Sequence, residues 1–157
     1  MKNSFWGVSL ALAALCAACV GAVPAFASHC TAAGVVGDWS YTYSGTVYAP
    51  DPFPAAAVGH FRSDVDGRVA GSQTHTLAGQ TEQEDISGTA TVNADCTGTA
   101  NIKVLVNGQI IRSAVLNIVY DENQNHARLI FVAITLPDGT SLPSVVTMDA
   151  SRLFPKD

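Results

Sequence analysis

The sequence predicts an all-β domain of about eight antiparallel strands in up-and-down order, closed into a barrel, with a two-sheet β-sandwich as the alternative. Three observations carry that reading. From Val35 onward, Val, Ile, Thr and Tyr are abundant, and apolar residues alternate with polar ones at the period of a pleated strand. Turn-forming residues recur every ten to fifteen positions. No window after Ala27 sustains the period of a helix.

The first strand, 36–44, places Trp39, Tyr41 and Tyr43 on one face and Ser40, Thr42 and Ser44 on the other. Pro50, Pro52 and Pro54 come next; lacking ladder N–H groups, they predict a loop or a sheet edge. Segments 55–63 and 68–77 flank Asp64-Val65-Asp66-Gly67, a hairpin turn in which Gly67 supplies positive φ. The polar, acidic stretch 80–85 reads as an exposed connection. Segments 86–93 and 97–106 flank Ala94-Asp95-Cys96, and Asn107-Gly108, the strongest hairpin signal in the chain, leads into 109–120. The turn 121–125 precedes 126–136, and Pro137-Asp138-Gly139 precedes the last strand, 144–154. Within 126–136, Leu129, Phe131 and Ala133 alternate with Ile130, Val132 and Ile134, so both faces are apolar. One face lines the interior. The other asks for cover by the N-terminal segment, the Pro-rich loop or a second copy of the chain, which makes a homo-oligomer one partner reading. Closure into a barrel is preferred because it removes the exposed sheet edges.

The start of the chain reads as an export signal preceding a single domain, 28–157. Lys2 is the only charge before Asp38, and Val8 to Val23 is an unbroken run of apolar and small residues ended by Pro24. Ala25-Phe26-Ala27 then offers the small side chains that a signal peptidase accepts, which places the cut after Ala27. The run is short for a membrane span of about 20 residues, so no stable span is expected. Lipoprotein processing at Cys19 is the alternative, weakened because Cys16 stands where a Leu-like residue belongs and Leu15 lies one place too far. The exported chain is therefore expected in a secreted or periplasmic compartment.

Loss of Lys2 leaves all 13 acidic residues against one base fewer than the full chain's 8. That acidic balance repels phosphate backbones and anionic headgroups, so nucleic acid is not an expected partner. Cys16 and Cys19 depart with the signal, leaving Cys30 and Cys96 in an oxidising compartment. Their pairing closes a long loop, worth about 4 kcal/mol in the chain-entropy model.

Candidates for chemistry are sparse. His60 and His75 lie on the two strands around Asp66-Gly67. An even-numbered loop puts them on one face together with Arg62 and Gln73, a polar cluster at a cavity mouth; an odd-numbered loop separates them. His29, His60, His75 and His126 show no ligand spacing, and Asp64-x-Asp66-Gly67 lacks a closing acid, so no metal is expected. No nucleophile motif or cofactor motif is present, and none is assigned. Glu82, Glu84 and Asp85 read as a solvated acidic run. Asn101 and Lys103 are read as sharing an interior face, as are Arg112 and Ala114 on the neighbouring strand, with an outward-pointing Lys103 as the alternative.

Gly37-Asp38-Trp39 resembles the Gly-x-Trp opening of lipocalins and the wider calycin barrels. That resemblance implies that Trp39 seals the barrel floor and that Arg152, at the end of the last strand, packs across its ring. Asp66-Gly67, the run from Gly88 to Thr99 and the late strands are similar to a group of small secreted bacterial proteins without known activity, shaped like lipocalin or allene oxide cyclase barrels. No catalytic residue of those enzymes has a counterpart in this sequence. The leading functional expectation is an exported barrel that binds a small apolar or amphipathic molecule, with His60, Arg62, Gln73, His75 and Phe131 as ligand-binding candidates. The alternatives are a cyclase or isomerase on the same scaffold, and a filled barrel acting as a surface or assembly module.

Overall fold

Alternation in the first strand sets the geometry of the whole molecule. In a computed structural model, which describes residues 29–155, β1 (Gly37–Tyr48) turns Trp39, Tyr41, Tyr43 and Val47 inward. Seven further strands follow: β2 (Pro52–Ser63), β3 (Arg68–Leu77), β4 (Gln80–Ala90), β5 (Thr97–Val106), β6 (Gln109–Asp121), β7 (His126–Thr135) and β8 (Ser144–Arg152). Each pairs antiparallel with its sequence neighbours, and β8 returns to pair with β1. The result is a closed eight-stranded barrel, not a sandwich, and no strand of it is left as a free edge. The export signal, its cleavage after Ala27 and Cys19 lie outside the described residues.

Two details depart from the expected elements, and a third decides between two alternatives. The acidic stretch 80–85 is not an exposed connection: it is the first half of β4, paired with β3 from Gln80↔Leu77 onward. Pro52 and Pro54 belong to β2, but they pair with β1 alone, because the β3 ladder begins only at Ala55↔Leu77. They therefore occupy a local edge, where a missing N–H costs no ladder bond. Asn101 and Lys103 face solvent; the interior positions of β5 are Ala100, Ile102 and Val104, with Lys103 placed opposite Ser113 on the outside.

A bulge re-aims β7. The register against β6 shifts so that Leu116 faces Phe131 and Val115 faces Ala133, leaving Val132 as the extra residue. Strict alternation would send Phe131 and Ile134 to opposite faces. With one residue bulged, both reach the interior, while Ile130 and Val132 stay exposed on the outer wall. The outer wall also exposes Val58, Val119 and Val145.

One end of the barrel is closed. Trp39 is 1% exposed, stacks on Phe61 with ring centroids 6.0 Å apart, and donates its indole N–H to the Val35 carbonyl at 3.0 Å. A 3₁₀ turn at Ala33–Val35 brings that carbonyl under the ring. The Arg152 guanidinium lies 5.0 Å from the Trp39 ring. It donates to the carbonyls of Gly34, Val36 and Gln124 and to Asn125 Oδ1, stitching the N-terminal segment to the turn between β6 and β7. The Cys30–Cys96 disulfide, spanning 66 residues, fixes the same segment to the turn before β5.

Candidate functional site

Inside the barrel the β1 aromatics run from floor to mouth. Tyr41 leans on Phe61 at 5.8 Å between centroids, and Tyr43 meets Phe131 edge-on at 5.3 Å and His75 at 5.9 Å. These rings, with aliphatic side chains from the other strands, surround a cavity of about 140 Å³. That is the size range in which an apolar protein cavity accommodates a single aromatic ring.

One wall of this cavity is polar. Glu84 is the centre of it: its carboxylate is fully buried, and it stands behind the lining, not in it. Arg112 donates to both oxygens, at 2.7 Å to Oε1 and 2.5 Å to Oε2. Gln73 Nε2 donates to Oε2 at 2.5 Å, and His75 Nδ1 faces Oε1 at 3.2 Å. Tyr41 completes the chain by donating its hydroxyl to Gln73 Oε1 at 2.7 Å. Gly59 makes that last bond possible. It lies between Tyr41 and Gln73 in the ladder, and a Cβ on it would sit 2.7 Å from the Tyr41 hydroxyl.

The electrostatics follow from this arrangement. Burial would raise the Glu84 pKa, but bonds from His75, Arg112 and Gln73 and the Arg112 charge outweigh it and pull it down to about 2. Burial likewise opposes the Arg112 charge, yet its bonds to Glu84 raise its pKa on balance. Tyr43 is pushed up to about 12, chiefly by burial, against the pull of the nearby guanidinium. Burial, reinforced by Tyr43 and Glu84, raises Tyr41 further still. At neutral pH the wall therefore holds one carboxylate, one guanidinium and two intact phenols, with no net charge from the Glu84–Arg112 pair. Among the described residues every buried side-chain polar atom has a partner.

The sequence-derived candidates divide across the barrel wall. The β2–β3 register pairs Ser63 with Val69 and His60 with Ser72, which makes the connection odd-numbered. Gln73, His75 and Phe131 accordingly line the cavity, whereas His60 and Arg62 project to solvent, Arg62 lying 3.6 Å from Asp38. Glu84 had been read as part of a solvated run, yet it organises the wall. The signal for it was present: stepping back two residues from the inward Ile86 lands on Glu84. Arg112 shares the inward face of β6 with Ala114, Leu116, Ile118 and Tyr120.

A second polar cluster lies at the closed end. His126 Nδ1 bonds Asp121 and its Nε2 meets Asp149 at 2.9 Å, while Arg128 reaches Asp121 at 3.3 Å. Ligand atoms of Asp121, Glu122 and His126 lie within 4.8 Å of one another. Both imidazole nitrogens are occupied by carboxylates, so the group ties the end of β6 to the start of β7 and to β8.

No protein-family model and no curated protein matches the chain. Among solved structures it is similar to EF1p2_mFAP2b bound to DFHBI, with a TM-score of 0.55 and 14% identity, covering 78% of this chain and 96% of that one. A redesigned β-barrel, mFAP1, bound to DFHBI, matches at a TM-score of 0.49 and 21% identity over 78% of this chain and 98% of that one. The S-type phycobiliprotein lyase CPES from Guillardia theta matches at 0.42 and 8% identity over 80% and 92%. At its identity, the likeness to EF1p2_mFAP2b bears on the fold: a small closed β-barrel.

Proposed function

We propose that this chain is an exported barrel that binds a small, mainly apolar molecule in its interior. The observation that carries the reading is the cavity of about 140 Å³, walled by aromatic rings on one side and by a single hydrogen-bonded polar patch on the other. A packed barrel acting only as an assembly module has no use for that space, and an empty cavity forgoes packing energy. An apolar enclosure with few polar groups is the ordinary design of a small-molecule site, because burial supplies affinity and the polar groups fix orientation. EF1p2_mFAP2b, whose barrel this one resembles, holds DFHBI. The Cys30–Cys96 disulfide and the signal-like start of the chain support an oxidising compartment outside the cytoplasm. Gln73, His75 and Phe131 are the sequence candidates retained as ligand contacts; Tyr43 and Arg112 join them.

One observation favours a second reading, a cyclase or isomerase on the same scaffold: an imidazole that lines the cavity faces a buried carboxylate. Glu84, however, ionises near pH 2 and has its oxygens saturated, which suits it to orienting His75 and not to taking a proton from a substrate.

Native mass spectrometry of the protein purified from its own host tests the proposal. A stoichiometric small molecule released on denaturation is the expected result. A chemically altered product on re-addition of that molecule would move the assignment to an enzyme. A bare polypeptide mass, with no thermal shift from any member of an aromatic fragment set, would overturn ligand binding.

A further inference from the structure

The geometry points to His75 as the specificity-determining residue of this cavity, its Nε2 accepting a hydrogen bond from a neutral, ring-sized ligand that carries an O–H or N–H donor, a phenol being the simplest. This inference rests on the reading of the interior as a ligand site.

The tautomer comes first. His75 Nδ1 faces Oε1 of Glu84, whose carboxylate is ionised and can only accept. The hydrogen of a neutral imidazole therefore sits on Nδ1, and Nε2 presents a lone pair. Among the described residues no hydrogen bond reaches Nε2, and none of the buried side-chain polar atoms is unsatisfied. Nε2 is therefore not sealed away from solvent, on a residue that lines the cavity. The carboxylate and amide acceptors of the wall are spent. Both Glu84 oxygens take bonds from Arg112, with Gln73 adding a second to Oε2, and the Gln73 carbonyl takes the Tyr41 hydroxyl.

The charge balance then excludes anions. Arg112 is the cation of the wall, and its two terminal nitrogens already hold Glu84 in a bidentate pair behind the lining. A ligand carboxylate would enter a cavity whose charge is already compensated and would lose its hydration without gaining a free cation. A neutral ring loses little. It packs against Tyr43 and Phe131 and turns its donor toward His75.

The test measures affinities of phenol, toluene and benzoate for the oxidised full-length exported protein and for His75→Phe, by calorimetry at pH 8. Phenylalanine keeps the ring and removes the acceptor. The expected result is that the phenol-over-toluene preference falls about 3- to 10-fold in His75→Phe, the worth of one neutral hydrogen bond, and that benzoate binds neither form. If His75→Phe does not fold, the native protein still decides. The Nε2 ¹⁵N resonance of His75 should shift on adding phenol and stay in place with toluene; an unmoved resonance overturns the inference. A preference unchanged by His75→Phe, or benzoate bound as tightly as phenol, overturns it as well. If toluene binds in any of these cases, the interior ligand site stands and only the role of His75 falls. If none of the three probes binds, both fall together.

Discussion

Arg152 at the floor and Arg112 in the wall are both guanidinium groups drawn inside the barrel, but they end on different partners. Arg152 spends its donors on backbone carbonyls and on Asn125, with its flat face over the Trp39 ring. Four of its five N–H groups are used this way, and the floor is a seam. Arg112 is locked by a buried carboxylate, and the side chains gathered around that carboxylate still face an open cavity. The same chemistry makes a closure in one place and, on the proposed reading of the interior as a ligand site, a recognition surface in the other. The difference lies in what stands behind the arginine. A backbone carbonyl ties chain to chain, whereas Glu84 is a hub from which Gln73, His75 and Arg112 are all aimed inward.

Breaking the wall should have the largest effect. Arg112→Met strips a fully buried carboxylate of its bidentate partner and is expected to lower the unfolding free energy by about 3–5 kcal/mol, measured by urea titration. Glu84→Leu combined with Arg112→Met should recover most of that loss, because two apolar side chains need no partners. The recovered barrel should still take up toluene and no longer distinguish phenol. A single variant as stable as the native protein would show that the pair does not hold the wall. The pH dependence has a definite sign. The Glu84 pKa is lowered on folding to about 2, so its contribution is complete above the unfolded carboxylate range and is lost as pH falls through that value.

The floor should respond differently. Replacing Cys30 and Cys96 by Ala removes a cross-link spanning 66 residues and is expected to cost about 2–4 kcal/mol in urea unfolding. Strand pairing should persist, read from far-ultraviolet circular dichroism, and probe affinity should stay within about twofold of the native value. If the disulfide variant folds but loses the probe, the division between seam and recognition surface is wrong.

His126 offers a smaller and oppositely signed test at the closed end. Burial alone would lower its pKa, but bonds and charges from Asp121 and Asp149 outweigh burial and raise it. A group raised on folding contributes fully below its unfolded value, near 6.5, and loses that contribution as pH rises through the folded value. Asp149 is well exposed and Arg128 competes for Asp121, so solvent screening keeps the effect below about 1 kcal/mol. The melting-temperature advantage of the native protein over His126→Gln should therefore shrink between about pH 6 and pH 9. An advantage that grows over that range would show that the imidazole is held neutral.

How much of this was legible in the sequence depends on which physical rule governed each residue. The strand count and their up-and-down order follow from alternation and from turns such as Asn107-Gly108, both local properties. Glu84 was obscured because a run of Gln, Thr, Glu and Asp has the composition of a loop; only the phase of the strand, counted back from Ile86, marks it as inward. Strict alternation puts Phe131 and Ile134 on opposite faces, and the bulge at Val132 that brings both inward is a register event between two strands, invisible in one of them. Lys103 failed for a related reason. Its neighbours Ile102 and Val104 compete for the interior, and the apolar pair wins because a buried ammonium needs a partner.

His60 and Arg62 supply the smallest effect and the finest test. Both were grouped with Gln73 and His75 on the premise of an even-numbered turn, and the pairing of Ser63 with Val69 makes the turn odd. One residue in a turn thus moves two side chains from a cavity to solvent, because strand side chains alternate with period two. Outside, His60 is exposed and Arg62 has only an exposed neighbour in Asp38. Such surface groups contribute little, so His60→Ala and Arg62→Ala should each change stability by less than about 0.5 kcal/mol. Neither should alter phenol or toluene affinity. Loss of affinity in either variant would place the ligand on the outer wall instead of the cavity and would remove Gln73 and His75 from the ligand contacts, since the odd register turns those two away from His60 and Arg62.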